Sequence, residues 1–253
     1  MDILSGSLLD LLVPAFALFV AGTVKGTIGI GLPTTALGIM TIVMAPRIAI
    51  AYLLVPMLVS NAWQVHRAGQ ARQTALRYLP FAVALVIGVW VTIYLTYDVS
   101  DRILFGVLGG AIVLFVLINV TAWAPYIPDR LARPMQYLLG TIAGVLGGLT
   151  SVWAPPMVIY LTARKVPMAE FVRASGLLIF IGSVPLAAGY FAQGLVDIRT
   201  FGASVALLVP TFAGFLIGER FRGRADEVTL RLSLIHISEP TRPAPLSLMP
   251  SSA

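Results

Sequence analysis

The sequence predicts an all-α polytopic membrane protein of about seven membrane segments, built as a two-repeat architecture with discontinuous helices in each half. Three observations predict it: an apolar, charge-poor composition, long apolar runs joined by short polar connections, and two glycine- and proline-rich breaks that look like copies of each other. Of 253 residues, 58% are hydrophobic and 11% charged, with a mean hydropathy of +0.92. Soluble domains carry about a quarter charged residues, and a soluble fold of this size could not hide so much apolar surface from water. Lipid is the solvent that fits. The formal charge of +6 does not point to nucleic acid, because most Lys and Arg residues cluster between apolar runs, where positive-inside topology puts them. The chain has no cysteine, which excludes disulfides, thiolate metal sites and cysteine nucleophiles. Acidic residues replace a basic n-region in Met1–Asp10, so the first apolar run reads as a mature membrane segment and not a removed signal peptide.

Runs long enough to span a bilayer, roughly 20 residues each, fall at approximately 8–45, 47–65, 76–97, 102–123, 134–162, 170–192 and 199–218. The connections are too short to fold as a separate soluble domain, so residues 1–232 form a single transmembrane domain, with repeat one at about 8–123 and repeat two at about 134–232. The first and fifth runs are too long for one ordinary span. The first breaks within Gly22–Pro33 and the fifth within Gly144–Pro156, where glycine and proline are too dense to continue an uninterrupted helix. A shift of 122 positions superposes Gly22 on Gly144, Gly26 on Gly148, Pro33 on Pro155 and Asn61 on Ser183, as a duplicated unit would. Arg67, Arg72 and Arg77 mark a cytoplasmic connection, as do Arg220, Arg222 and Arg224. Together they favour inverted halves with the N-terminus outside, while a parallel repeat stays open.

Character changes after Leu232. Residues 233–253 read as a disordered or non-native tail, because Leu234-Ile-His-Ile-Ser-Glu-Pro-Thr-Arg-Pro243 resembles a translated sequencing adapter. On that reading the natural chain continues past about residue 232 into a final membrane helix, and His236 carries no functional weight.

The breaks carry the chemistry. An interrupted helix inside a membrane frees N–H and C=O groups, which are tolerated only against protein or a water-filled cavity. Pro33 suits the first position of a half-helix, leaving the amides of Thr34, Thr35 and residue 36 unpaired toward the break. Such an N-terminus carries about half a positive charge and binds anions. Pro155 or Pro156 starts the equivalent half-helix, and in inverted halves the two N-termini could face one midplane site. Gly29 and Gly31 let a substrate approach the backbone closely. Lys25 lies within the first break, flanked by apolar residues; it either faces a cavity as substrate-attracting charge or snorkels to headgroups. Asn61 and Gln64, one turn apart, could bond substrate oxygens or simply join helices. Thr34, Thr35, Thr150 and Ser151 offer hydroxyls beside the half-helices. Arg173 reads as a partner of Glu170, Arg47 and His66 as span-end residues, and Trp63, Trp90 and Trp123 as interfacial anchors.

The segment Gly22-Thr-Val-Lys-Gly-Thr-Ile-Gly-Ile-Gly-Leu-Pro-Thr-Thr35, followed by Pro46-Arg47, Leu54-Val-Pro56 and Asn61-Ala-Trp-Gln64, resembles the sulfite exporter TauE/SafE family of membrane permeases. Gly144–Pro156, Phe171-Val-Arg-Ala-Ser-Gly176 and Gly218-Glu-Arg-Phe-Arg-Gly-Arg224 are similar to that family's second repeat and its basic loop. Three departures are Lys25, where many relatives carry a small polar residue, Trp153-Ala-Pro-Pro156 in the second repeat, and the last helix, which is expected to be missing. The resemblance implies a secondary carrier of small anions, typically sulfur-containing ones such as sulfite, sulfonates or thiosulfate. It also implies eight membrane segments in an intact relative.

The expected activity is therefore a membrane permease in the bacterial inner membrane, moving a small anion by alternating access. Lipid bilayer and anion are its expected partners, a homo-oligomer is compatible with it, and no cofactor, metal or nucleic acid is expected. An intramembrane enzyme would need a nucleophile with a base, paired carboxylates or a metal set, and the spans hold no His, Cys or carboxylate pair. An anion channel or a non-transporting scaffold remains the alternative.

Overall fold

The computed structural model describes residues 11–96, 98–121 and 126–237, with side chains described as far as Arg222 except at 119–121. The first ten residues, Trp123 and residues 238–253 lie outside the described residues. All regular structure among the described residues is helical: α1 (Leu12–Ile28), α2 (Leu32–Met40), α3 (Pro46–Ala68), α4 (Ala71–Arg77), α5 (Leu79–Leu95), α6 (Asp101–Thr121), α7 (Asp129–Thr150), α8 (Ala154–Ala163), α9 (Met168–Ala192), α10 (Ile198–Ala206) and α11 (Leu208–Ile237). The apolar runs map onto this order, α1 with α2 taking the first and α7 with α8 the fifth. The end of α11 falls five residues past the expected boundary at 232.

Four stretches are long and apolar enough to cross a membrane: α3, Asp101–Ile118, α9 and Ile198–Arg222. A fifth is added if α4 and α5, bent by 80°, form one span. Fewer stretches than the expected seven qualify because the first and fifth runs are each divided between shorter helices. The side chains are distributed as lipid dictates. Large apolar residues such as Phe16, Ile87, Leu95 and Leu117 face outward, while Lys25, Ser60, Asn61, Gln64, Ser175 and Ser183 are buried. Polar groups inside and apolar groups outside are the arrangement expected of a bundle in hydrocarbon.

Two tightly packed helix pairs hold the bundle. Gly22 and Gly26 of α1 meet Thr211, Phe215 and Gly218 of α11 in the same order along both helices, so these two run parallel. In the other pair Gly140, Gly144 and Gly148 of α7 meet Phe81, Leu85 and Val89 of α5, again in parallel. Most of the glycines read from sequence as breaks are thus helical. They occupy contact surfaces where small residues let backbones approach, which drives helix association in lipid.

Ion pairs and hydrogen bonds orient the rest. Arg67 pairs with Glu219 at 2.5 Å, and Arg77 with Glu170 at 2.8 Å. Tyr78 donates to Glu170 (2.7 Å), and Gln136 to the Arg77 carbonyl (3.3 Å). These contacts gather the end of α3 and the starts of α5, α7 and α9 at one face, together with Arg67, Arg72, Arg77, Arg133 and Arg222. At the opposite face Arg47 donates to the Val99 carbonyl (2.7 Å) and Gln193 to the Ile93 carbonyl (3.0 Å). Hence α3 runs toward the basic face and α9 away from it; α1 and α11 run toward it, α5 and α7 away. Helices related by the 122-residue shift run in opposite directions, so the structure selects inverted halves over parallel ones.

Each long run is a helical hairpin. Arg164, just after α8, donates to the Ile127 carbonyl and pairs with Asp129 at the start of α7, so α8 returns along α7 to the basic face. Likewise α2 returns from the basic side toward the start of α3. One further bond repairs a sequence-imposed defect. Pro56 lies inside α3 and lacks the N–H that would bond the Tyr52 carbonyl. Ser204 of α10 donates to that carbonyl at 2.8 Å and accepts from the Val55 amide at 3.2 Å.

Candidate functional site

The first hairpin turns at Gly29-Ile30-Gly31, with φ of 93° and 99° at the two glycines. Left-handed φ is what confines these positions to glycine. The break is narrower than Gly22–Pro33, and Lys25 sits in the last turn of α1 and not in the break. At Gly29 a Cβ would also lie 2.9 Å from Val172 Cγ2. Gly29→Ala is therefore expected to lower stability by about 1–2 kcal/mol, read as a drop of a few degrees in melting temperature.

Lys25 is 1% exposed. Its ammonium donates to Asn61 Oδ1, and Asn61 is held in that orientation by its own Nδ2 donating to the Met57 carbonyl at 2.7 Å. Among the described residues no carboxylate pairs with Lys25. One turn along α3, Gln64 Nε2 donates to the Gly29 carbonyl (3.1 Å) and the Val172 carbonyl (2.8 Å), tying the hairpin turn to α9. Thr34 Oγ1 and Gln64 Oε1 are buried without a hydrogen-bond partner. Orphaned polar atoms are rare in finished interiors; one of these lies a turn from Asn61 on α3 and the other in the first turn of α2. Asn61 lies about 10 Å in from the basic end of α3 at about 1.5 Å per residue, and the Lys25 ammonium is turned onto it, inside the bundle.

The start of α2 differs in detail from expectation. Leu32 is the first helical residue and Pro33 the second, and the Thr35 amide closes the first turn on the Gly31 carbonyl at 3.0 Å. Thr35 thus uses its amide internally, and the open first-turn donors are those of Leu32 and Thr34.

A cavity of about 450 Å³ opens over this cluster from the basic face, its lining including Gln64, Arg67, Val172, Phe215, Glu219 and Arg222. Arg222 donates to the carbonyls of Thr27 (3.1 Å) and Lys25 (3.2 Å), covering the negative end of the α1 dipole. Arg222, Val172 and Glu219 were not read from the sequence as site residues. The Gly218–Arg224 basic stretch was the available signal for Arg222 and Glu219; Val172 acts through its carbonyl, which sequence does not mark.

The second hairpin turns at Ser151–Trp153 and differs in chemistry. Ser151 has φ of 55°, and its amide bonds the Gly147 carbonyl at 2.7 Å. Thr150 Oγ1 is used internally, donating to the Leu146 carbonyl and accepting from the Val152 amide. The Trp153 ring fills the space over Gly147, where a Cβ would lie 2.2 Å from Cε3. Pro155 stands in the first turn of α8. Ser151 Oγ and Trp153 Nε1 are buried without partners.

The two turns do not converge. Gln64 and Arg47 are about 25 Å apart along α3 at about 1.5 Å per residue. Gln64 marks the first turn, whereas Arg47 bonds the Val99 carbonyl just past the end of α5, and Gly148 just before the second turn packs on Thr92 near that end. The two hairpins therefore reverse at different levels along α3. Lys25, Gly29, Gly31, Pro33, Thr34, Asn61 and Gln64 lie around the first turn, and Thr150, Ser151 and Pro155 at the second. Arg173 does not pair with Glu170, whose carboxylate takes Arg77 and Tyr78. Among the described residues no cluster of three or more His, Cys, Asp or Glu could hold a metal ion.

An apolar-coated helical bundle with inverted hairpins and a buried cation beneath an open cavity defines a membrane protein built to handle a polar solute. The family model "Sulfite exporter TauE/SafE" matches residues 14–237. The chain belongs to the sulfite exporter TauE/SafE family of membrane transport proteins. No curated protein and no solved structure matches the chain.

Proposed function

We propose that the chain is a permease that carries a small anion, a sulfur oxyanion or an organosulfonate, across the bacterial inner membrane by alternating access. The observation that carries this reading is Lys25: a fully buried ammonium whose partner is a neutral amide. An uncompensated charge in a protein interior is costly, and an anionic substrate supplies the missing counter-charge. Thr34 Oγ1 and the open amides of Leu32 and Thr34 add hydrogen bonds to its oxygens. The positive-inside rule puts the basic face in the cytoplasm, with the cavity open toward it. Arg67 and Arg222 draw the anion in, and Gln64 stands between cavity and Lys25. Release of Gln64 from the Gly29 and Val172 carbonyls would admit the anion. Ser151 and Trp153 at the opposite turn offer the second set of unpaired groups for passage on the other side.

Flux into proteoliposomes tests the reading with sulfite, sulfate, thiosulfate, organosulfonates and carboxylates as substrates. Saturable uptake stimulated by counter-anion is expected; non-saturable flux would mark a channel, and no flux for any anion a scaffold. Asn61→Asp sharpens the test by placing a near-isosteric carboxylate against the Lys25 ammonium. That internal counter-ion is expected to lower uptake about tenfold, an effect of about 1.4 kcal/mol on anion binding. Uptake unchanged in this variant would remove the Lys25–Asn61 pair from the site.

A further inference from the structure

We propose that the crevice between α5 and α7 is a binding site for an anionic glycerophospholipid of the basic-face leaflet. At that face a cavity of about 410 Å³ is lined by Arg77, Arg133, Asp129, Gln136 and Tyr137, among others. It shares Val83 and Tyr137 with a second, almost wholly apolar groove of about 360 Å³. The two therefore adjoin along the outside of the bundle.

The helices build the groove regularly. Val83, Ile87 and Val91 form one wall along α5, and Tyr137, Thr141 and Val145 the other along α7, each row spaced one turn apart. Ala84 and Gly88 are part of its lining between the rows; being small, they leave the depression. A single acyl chain fits a groove of this shape and polarity. The upper cavity has the matching headgroup chemistry. Arg133 is exposed, and Arg77 meets Glu170 through Nη1 while its side chain stays 61% exposed. These guanidiniums suit a phosphodiester. Gln136 is 7% exposed, donates through Nε2 to Tyr160 and the Arg77 carbonyl, and leaves Oε1 buried without a donor. A glycerol headgroup hydroxyl supplies that donor. Asp129 is engaged by Arg164 at 2.6 Å and so is partly neutralised toward the phosphate.

Phosphatidylglycerol fits every part: phosphate on the two arginines, headgroup hydroxyl on Gln136, acyl chain in the groove. The test is native mass spectrometry of the full chain in detergent, titrated with phosphatidylglycerol or with phosphatidylcholine of the same acyl chains. Preferential retention of phosphatidylglycerol is expected. Arg133→Gln should weaken it about fivefold, and Val83→Trp, which plugs the junction of the two cavities, should abolish it. Arg130→Gln, on an exposed side chain outside the lining, should leave it unchanged. Glycerol 1-phosphate at millimolar concentration should not compete, because it lacks the acyl chain. Equal retention of the two lipids, indifference to Arg133→Gln and Val83→Trp, or competition by glycerol 1-phosphate would each overturn the proposal. Transport of anions by the variants is a separate readout and does not bear on it.

Discussion

Lys25→Met is expected to lose anion transport by at least about 30-fold while the protein folds as well as the wild type or better. The two effects have one cause. Lys25 is buried at 1% exposure with Asn61 Oδ1 as its hydrogen-bond acceptor, so its ammonium is desolvated against a neutral amide. Methionine keeps the unbranched stem and removes the charge. Replacing a buried charge by an apolar group of similar volume is often neutral or stabilising. For the anion the same change removes the desolvated charge partner, a loss of about 2–5 kcal/mol for a buried charge pair. A lysine that only braces α1 against α3 would give the opposite pattern, with stability falling and transport following it. Melting temperature and initial uptake rate, measured on the same preparation, separate the two.

Gly26→Val is expected to have the largest effect on folding. A Cβ at Gly26 would lie 2.2 Å from the Phe215 carbonyl oxygen and 2.8 Å from Gly218 Cα. Both are backbone atoms of α11, so no rotamer change relieves the clash and the helices must part. Overpacking in cores costs about 1–3 kcal/mol even where side chains can adjust. Here the cost also includes the α1–α11 contact that carries Arg222 to the end of α1. Loss of monodisperse protein on size exclusion is expected, whereas Gly109→Val, at a glycine of α6 with no atom within 4 Å of a Cβ, should be silent.

Much of this was legible in the sequence, for particular reasons. Lipid as solvent follows from composition, and Gly29, Gly31 and Pro33 marked the first turn because few other residues suit its backbone. Lys25, Asn61 and Gln64 were each visible as polar groups in apolar runs. Their meeting was not, because it depends on α2 folding back along α1, and a periodic pattern cannot distinguish a reversing helix from a continuing one. The same ambiguity extended the breaks over Gly22, Gly26, Gly144 and Gly148. Glycine density signals both helix interruption and helix apposition, and contact with α5 and α11 decides which. How far apart the two half-helix N-termini lie was not legible either, since it depends on how far each outgoing helix runs before it reverses. Ser204 repairing the Pro56 defect and Val172 accepting from Gln64 join segments far apart in the chain, and no local pattern announces either.

The central claim is that Lys25 receives the transported anion, and equilibrium binding of radiolabelled sulfite and of a labelled organosulfonate to the purified chain tests it most directly. Wild-type protein is expected to bind at least one of them saturably, at one site per chain, and Lys25→Met to bind neither. Saturable binding of equal strength by both proteins would contradict it.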